Sequence, residues 1–310
     1  MAILLAVTDR DVRPLKEKME AVLPEGTDVW IYPELPDPGR VRMIVVWKHP
    51  PGLFSQLPNL EVISSLGAGV EHILKDPALP AGVAVTRVVD DKLTVSMRNY
   101  VVMAALNIHK QLAFYLQHQR QQKWEKPSPV EHPLRIGMLG LGALGSAIAR
   151  FLADMGFEVT GFSRSRKEIA GVVCLNEDDH SLEDFARRIN LLVCLLPLTP
   201  ATEGILNYHL FSRMPRGAAL INVARGAHLV EADLLRAIEE GYIREAYLDV
   251  FQEEPLPAGH PFWMRPEIVL TPHVASITDQ DNAAAILAGN FRRMSRGEPL
   301  AYEVDPSQGY

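Results

Sequence analysis

The sequence predicts an α/β protein of two lobes, each a parallel sheet covered by helices. Three observations predict it. The first hundred residues alternate strand-like and helix-like patterns. The run RIGMLGLGALGSAIARFLADMGFEVTGFSRSRK, Arg135 to Lys167, reads as strand, glycine turn, helix, strand. Beyond it, short apolar runs recur between helical patterns. At 310 residues the chain has room for two substantial cores, and its 47% hydrophobic content is ordinary for a globular protein.

In chain order, AILLAVT, MIVVWK, EVISSLGAG and VAVTRV are strand-like, joined by proline-rich connections such as YPELPDPG and HPPG. From Thr94 to about Gln122 runs a stretch of good helix formers, ending before the linker-like Lys126-Pro127-Ser128-Pro129. Ile136, Met138 and Leu139 then form a buried strand. Ala147, Ile148, Phe151 and Leu152 form an apolar helix stripe, and Phe157, Val159 and Gly161 lead a second strand to Ser163. LLVCLLP, AALINVAR, AYLDVF and IVLTPH follow as short buried strands, with helices over NYHLFSRM and VEADLLRAIEEG. Gln280 to Gly297 reads as a helix returning to the first lobe. The expected boundaries are 1–98 plus 278–310 for one lobe and 99–277 for the other.

A formal net charge of −7 argues against nucleic acid as a partner, and no apolar run approaches the length of a membrane span. The start MAILLAVTD is too short for a secretory apolar region and lacks a basic lead. Two cysteines, Cys174 and Cys194, fit a reducing cytoplasm as structural thiols.

Gly140, Gly142 and Gly145 stand at GxGxxG spacing where a strand turns into a helix. The first glycine permits the sharp turn, the second lets a pyrophosphate approach the backbone, and the third lets helix and sheet pack closely. The phosphates then rest on N–H groups of Gly142, Ala143, Leu144 and Gly145 at the helix N-terminus. At the end of the second strand an NAD site carries a carboxylate for the ribose 2′-hydroxyl. Here stand Ser163, Arg164, Ser165 and Arg166. Guanidiniums and hydroxyls suit a 2′-phosphate, so the pattern favours NADPH, with NADH weaker. The plainer reading of this run is a solvated basic turn.

Strand C-terminal ends face the ligand in such sheets, and Pro197, Arg225, Asp249 and His273 all fall at or just after strand ends. INVARG with Arg225, LDVFQEEPLP with Asp249 and Glu254, and TPHVAS with His273 are weak signals singly and specific together. This arrangement resembles the D-2-hydroxyacid dehydrogenases along essentially the whole chain. Within them it looks most like the bacterial type A glyoxylate/hydroxypyruvate reductases, through VVWKHPP, SLGAGVEHI, FSRSRK, ARGAHLVEADLL, LDVFQEEPLP and the terminal GY. It departs from many members at Glu71, where they carry Asp, and at Asn99-Tyr100, where they carry an acidic-histidine pair.

The resemblance implies two Rossmann-like lobes, a flavodoxin-like substrate lobe and a doubly wound dinucleotide-binding lobe, with a cleft between them. It implies reduction of small 2-keto acids, glyoxylate and hydroxypyruvate foremost, in a homodimer, with no metal. His273 would give the proton, Glu254 would hold its far ring nitrogen and favour the charged ring, and Arg225 would grip the substrate carboxylate and polarise the carbonyl. Asp249 would bind the nicotinamide carboxamide. The turn Gly67-Ala68-Gly69 would offer Ala68 and Gly69 N–H groups to a carboxylate oxygen, or be an ordinary tight turn. Trp47 would wall the pocket, or belong to the core. The rivals are an NAD-dependent dehydrogenase of another substrate class, opposed by Ser163 to Arg166, and a non-catalytic dinucleotide-sensing binding protein, opposed by the intact Arg225, Glu254 and His273.

Overall fold

The structure is a computed structural model that describes residues 1–89, 91–127, 133–276 and 278–305. Ser128 and Pro129 of the linker-like stretch and the terminal Gly309-Tyr310 lie outside the described residues. The chain divides into two compact units, Met1–Leu93 with Ile277–Tyr310, and Thr94–Ser276.

The first unit contains β1 (Ala2–Val7), α1 (Arg13–Val22), β2 (Asp28–Ile31), β3 (Val41–Trp47), β4 (Val62–Ser65), α2 (Glu71–Leu74) and β5 (Ala84–Arg87). The five strands pair in parallel in the order β2-β1-β3-β4-β5, which is the flavodoxin-like arrangement. The apolar runs are continuous because both faces are covered: all six residues of β1 are buried. Ile3, Leu5, Met43 and Val45 pack on Leu15 and Met19 of α1 and on Ala283, Leu287 and Phe291. Leu4, Ile44 and Ile63 pack on Phe54 and Ile73. The strand order reverses direction at β1 and β3, so the end of β3, Trp47, lies where such sheets open a crevice.

The second unit continues from α3 (Asp91–His109) and α4 (Leu112–Arg120) through β6 (Arg135–Leu139), α5 (Ala143–Asp154), β7 (Glu158–Ser163), β8 (Val172–Asn176), α6 (Leu182–Arg188), β9 (Leu191–Cys194), α7 (Tyr208–Phe211), β10 (Ala218–Asn222), α8 (Glu231–Glu239), β11 (Ile243–Leu248) and β12 (Ile268–Leu270). α9 (Gln280–Arg296) follows and packs on α1 in the first unit's core, capped by Asp279 and closed by Gly297 in the left-handed region. The parallel sheet runs β12-β11-β10-β9-β6-β7-β8, so counting from β6 its first six strands have the Rossmann order 3-2-1-4-5-6. Alternate residues serve opposite faces. Leu192 and Cys194 join one core, Leu191 and Val193 the other.

The long helix expected from Thr94 to Gln122 is two helices, broken where Gln111 adopts a left-handed φ of 56°. The apolar stripe on α5 also shifts. Ile148 and Leu152 are fully buried, but Phe151 is exposed with the Arg98 guanidinium 4.4 Å over its ring, and Gly145 and Ala149 complete the packed face. Among the described residues no helix is long and apolar enough to cross a membrane.

Candidate active site

β6 and β9 flank the point where the strand order reverses, and the glycine turn leaves β6 there. Gly140 has a φ of 105°, and a Cβ on it would lie 2.9 Å from the Leu195 carbonyl oxygen; one on Gly145 would lie 2.0 Å from the Gly140 oxygen. A Cβ on Gly142 would meet nothing within 4 Å. The outer glycines therefore serve the protein's own packing, while the middle one keeps a face open. Gly142 caps α5 with no side-chain hydrogen bond, and the first bond inside the helix is Ser146 N–H to the Gly142 carbonyl. The preceding N–H groups of Ala143, Leu144 and Gly145 thus point past the helix end, where the macrodipole favours an anion. This open cradle fits a pyrophosphate.

β7 ends at Ser163, whose Oγ donates to the Ser165 carbonyl at 2.8 Å. Arg164, Ser165 and Arg166 are exposed. Arg166 donates to Asp179 Oδ2 at 2.9 Å, and Asn176 Nδ2 donates to the same oxygen at 3.0 Å. The Asn176 bond foremost, and the Arg166 charge after it, hold Asp179 below the usual carboxylate range.

After β9, the Pro197 carbonyl accepts from Thr202 Oγ1 at 2.7 Å and from His228 Nε2 at 3.2 Å. With the His228 proton on Nε2, its Nδ1 accepts from the Arg225 N–H at 3.2 Å. His228 and Asn222 are both fully buried, and Asn222 Nδ2 donates to the Arg225 carbonyl at 3.1 Å. The backbone of Arg225, just past β10, is thereby fixed on both sides, and its Nη1 donates to the Ala224 carbonyl at 2.6 Å.

The ends of β11 and β12 bring Glu254 and His273 together. Glu254 Oε2 meets His273 Nδ1 at 2.9 Å, and Glu254 Oε1 accepts from the Phe251 N–H at 3.1 Å. His273 has a left-handed φ of 55° and donates its N–H to the carbonyls of Asp249 and Thr271 at 2.9 and 3.0 Å. Asp249 is 1% exposed, and its carboxylate holds this loop: Oδ1 accepts from Thr271 Oγ1 at 2.6 Å and Val274 N–H at 2.8 Å, Oδ2 from Ala275 N–H at 2.8 Å. Burial pushes the Asp249 pKa up, and these donors offset only part of the shift. Tyr100 lies 2.7 Å from Thr271 Oγ1; since that hydroxyl donates to Asp249, Tyr100 donates to it. Burial pushes the Tyr100 phenol up to about 12.

In the other unit, Trp47 is half-buried and meets the His72 ring edge to face at 5.2 Å. It also covers the turn after β4, since a Cβ on Gly67 would lie 2.9 Å from the Trp47 indole. Ala68 and Gly69 are half-buried, and Ser65 Oγ donates to the Gly69 carbonyl at 2.6 Å.

The structure sets Arg225, Asp249 with Glu254, and His273 in the loops after three adjacent strands, β10, β11 and β12. Sequence reasoning missed His228, Asn222, Thr271, Tyr100 and Asp179. Each acts through a backbone group or a side chain distant in sequence. Their one signal was closeness to a predicted residue: Asn222 and His228 lie three residues either side of Arg225, and Thr271 lies two before His273.

The family model described as the D-isomer specific 2-hydroxyacid dehydrogenase NAD binding domain matches residues 102–275. The chain is 43% identical over 272 residues to glyoxylate/hydroxypyruvate reductase A of Photorhabdus laumondii, covering 86% of this chain and 87% of that protein. Against the reductase of the same name from Yersinia enterocolitica it is 40% identical with the same coverage. Among solved structures, it is similar to a D-isomer specific 2-hydroxyacid dehydrogenase from Xanthobacter autotrophicus in complex with NADPH and MES, with a TM-score of 0.92, 38% identity, and coverage of 100% and 99% of the two chains. It is likewise similar to an NADPH-dependent glyoxylate/hydroxypyruvate reductase from Sinorhizobium meliloti in complex with NADP and sulfate, with a TM-score of 0.91, 36% identity and the same coverage.

Proposed function

The chain belongs to the D-isomer specific 2-hydroxyacid dehydrogenase family, and on that premise we propose that it is an NADPH-preferring reductase of small 2-keto acids, converting glyoxylate to glycolate and hydroxypyruvate to glycerate. Two of its relatives are named glyoxylate/hydroxypyruvate reductase A, and two of its structural neighbours were solved in complex with NADPH or NADP. The observation that carries the reading is the Glu254 Oε2 to His273 Nδ1 contact of 2.9 Å. A carboxylate on Nδ1 fixes the imidazole's orientation and leaves Nε2 as the nitrogen for proton transfer.

When bound, the dinucleotide would supply a hydride to the carbonyl carbon. His273 gives its proton to the carbonyl oxygen, so the keto group gains two electrons and two hydrogens and becomes a hydroxyl. Arg225 pairs with the carboxylate and steadies the developing negative charge on that oxygen. Glu254 is a positioning residue. Asp249 would take the nicotinamide carboxamide. Ala68 and Gly69 give N–H groups to the substrate carboxylate, and Trp47 limits substrate size. The glycine turn holds the pyrophosphate, and Pro197 lies at the adjoining strand end. Ser163, Arg164, Ser165 and Arg166 take the 2′-phosphate, so NADH binds more weakly.

A homodimer is proposed on the exposed apolar residues Met103, Leu112, Tyr115, Leu116 and Trp124 of and beyond α3 and α4. A cytoplasmic location is proposed on the two free thiols. The test is a panel of 2-keto acids assayed with NADPH and with NADH. Glyoxylate and hydroxypyruvate are expected to oxidise NADPH most efficiently. Tight NADPH binding with no turnover of any 2-keto acid would instead favour a dinucleotide-sensing protein.

A further inference from the structure

Ser65 ends β4 and Arg87 ends β5, and the two are register partners in the sheet. Both reach the turn that follows β4. Ser65, fully buried, spans it: its Oγ donates to the Gly69 carbonyl at 2.6 Å and accepts from the Gly67 N–H at 3.3 Å. Arg87 Nη1 donates to the carbonyl of Ala68, between them, at 3.4 Å. The Arg87 guanidinium is half-buried, and among the described residues no carboxylate pairs with it. Burial pushes its pKa down from the ordinary arginine value, a cost that a surface arginine would not bear. A charge held at such a place needs a use.

We infer that Arg87 is a positioning residue for substrate binding: it polarises the Ala68–Gly69 peptide, while Ser65 holds the turn's ends, so that the Gly69 N–H becomes a stronger donor to the keto-acid carboxylate. A trans peptide is planar, with its C=O and N–H pointing in opposite directions. Arg87 lies on the carbonyl side, so the Gly69 N–H points away from it. Arg87 therefore acts on an anion at that N–H through the peptide and not by touching it. Pulling electron density toward the carbonyl oxygen strengthens the donor at the other end, as in chains of hydrogen bonds that polarise one another. At 3.4 Å the Arg87 bond has room to shorten when an anion loads the peptide.

The inference rests on assigning Ala68 and Gly69 to the substrate carboxylate, and two readouts separate the claims. The first needs no substrate. In the ligand-free protein, Arg87→Met is expected to move the Gly69 amide proton resonance upfield, with Arg87→Lys, which keeps a charge but loses the planar fork, in between. The second is kinetic. A carboxylate contact is made alike in ground and transition states, so Arg87→Met should raise KM for glyoxylate roughly tenfold while kcat changes by less than about threefold. NADPH affinity should stay the same, and Arg87→Lys should recover part of the loss. If Arg87→Met does not fold, Arg87→Lys carries both measurements. A Gly69 amide that does not move, or a wild-type KM, overturns the inference. If the wild type turns over no 2-keto acid, the proposed function fails while the amide shift still decides whether Arg87 polarises the turn.

Discussion

A methyl group on Gly226 would lie 1.9 Å from the carbonyl carbon of Phe251 and 2.0 Å from its oxygen. The backbone leaving β11 passes directly against the residue that follows Arg225. Since the Phe251 N–H also donates to Glu254, the loop holding Arg225 and the loop holding Glu254 are set by one close backbone contact. No side chain at 226 is compatible with it.

Gly226→Ala is therefore expected to destabilise the protein by about 3 kcal/mol or more, because the obstacle is backbone and cannot rotate away. Gly142→Ala is its opposite. Its Cβ enters open space, so thermal stability should stay close to wild type while NADPH affinity falls roughly tenfold or more, as the methyl group keeps the phosphates off the helix N-terminus. Thermal melts and dinucleotide titrations of the two variants check this, and a Gly142→Ala enzyme with full NADPH affinity would refute the cradle.

The contrast shows how much the sequence disclosed. The two sheets were legible because buried parallel strands need continuous apolar runs, and LLVC and AILLAV have little other use. The glycine turn was legible because three backbone demands fall at fixed spacing. β2 was not, because DVWI is four residues long with one buried position, and its pairing to β1 supplies what its pattern lacks. The break at Gln111 was not, since neither glycine nor proline marks it. In the site, the residues suited to the chemistry were visible at strand ends. Of their supports, His228 lies three residues from Arg225 but acts on its backbone N–H, which the chemistry of the site does not single out, while Thr271 with Tyr100 beneath Asp249 act across distances along the chain that only the fold brings together.

Arg225→Ala should act on substrate and leave the dinucleotide alone. Losing the carboxylate contact raises KM, and losing the charge near the developing alkoxide lowers kcat, so kcat/KM should fall by roughly two orders of magnitude or more. NADPH affinity, read by fluorescence titration, should not change. A variant that reduces glyoxylate at the wild-type rate would remove Arg225 from the site.

Replacing both Arg164 and Arg166 by Ala should cost NADPH at least roughly tenfold in kcat/KM and spare NADH, since charge-assisted bonds to a phosphate are worth about 1.5 to 3 kcal/mol each. Asp179 offers a converse test, because it holds Arg166 and places a negative charge beside it. Asp179→Asn should increase the preference for NADPH by a few-fold at most, the pair being exposed and screened. Equal efficiency with the two dinucleotides in the wild type would undo both expectations.

The thiols should differ in reactivity. Burial pushes the Cys194 thiol up to about 12, so almost none is thiolate at pH 8, whereas Cys174 is only half-buried. A thiol reagent at pH 8 should label Cys174 alone in the native protein and both after denaturation. Rapid native labelling of Cys194 would mean that the sheet core opens far more readily than its packing implies.

His273 and Glu254 give the strictest test, because a proton donor and its support must fail differently. His273→Ala removes the acid, and general acid catalysis contributes about 10²- to 10⁴-fold, so kcat for reduction should fall on that scale with fold and NADPH affinity intact. Reduction takes the ring proton and oxidation of the hydroxy acid returns it, so both directions should be impaired in His273→Ala. Glu254→Gln can keep an accepting oxygen near Nδ1, but it turns its amide NH2 toward the Phe251 N–H, and it removes the negative charge that faces the ring in the 2.9 Å pair. It should lower kcat for reduction by a smaller factor, with KM and NADPH affinity nearly unchanged, because the ring keeps a partner oxygen and loses its counter-charge. Loss of NADPH affinity in Glu254→Gln would mean that the pair shapes the fold of the loop, and an active His273→Ala enzyme would mean that the proton comes from elsewhere.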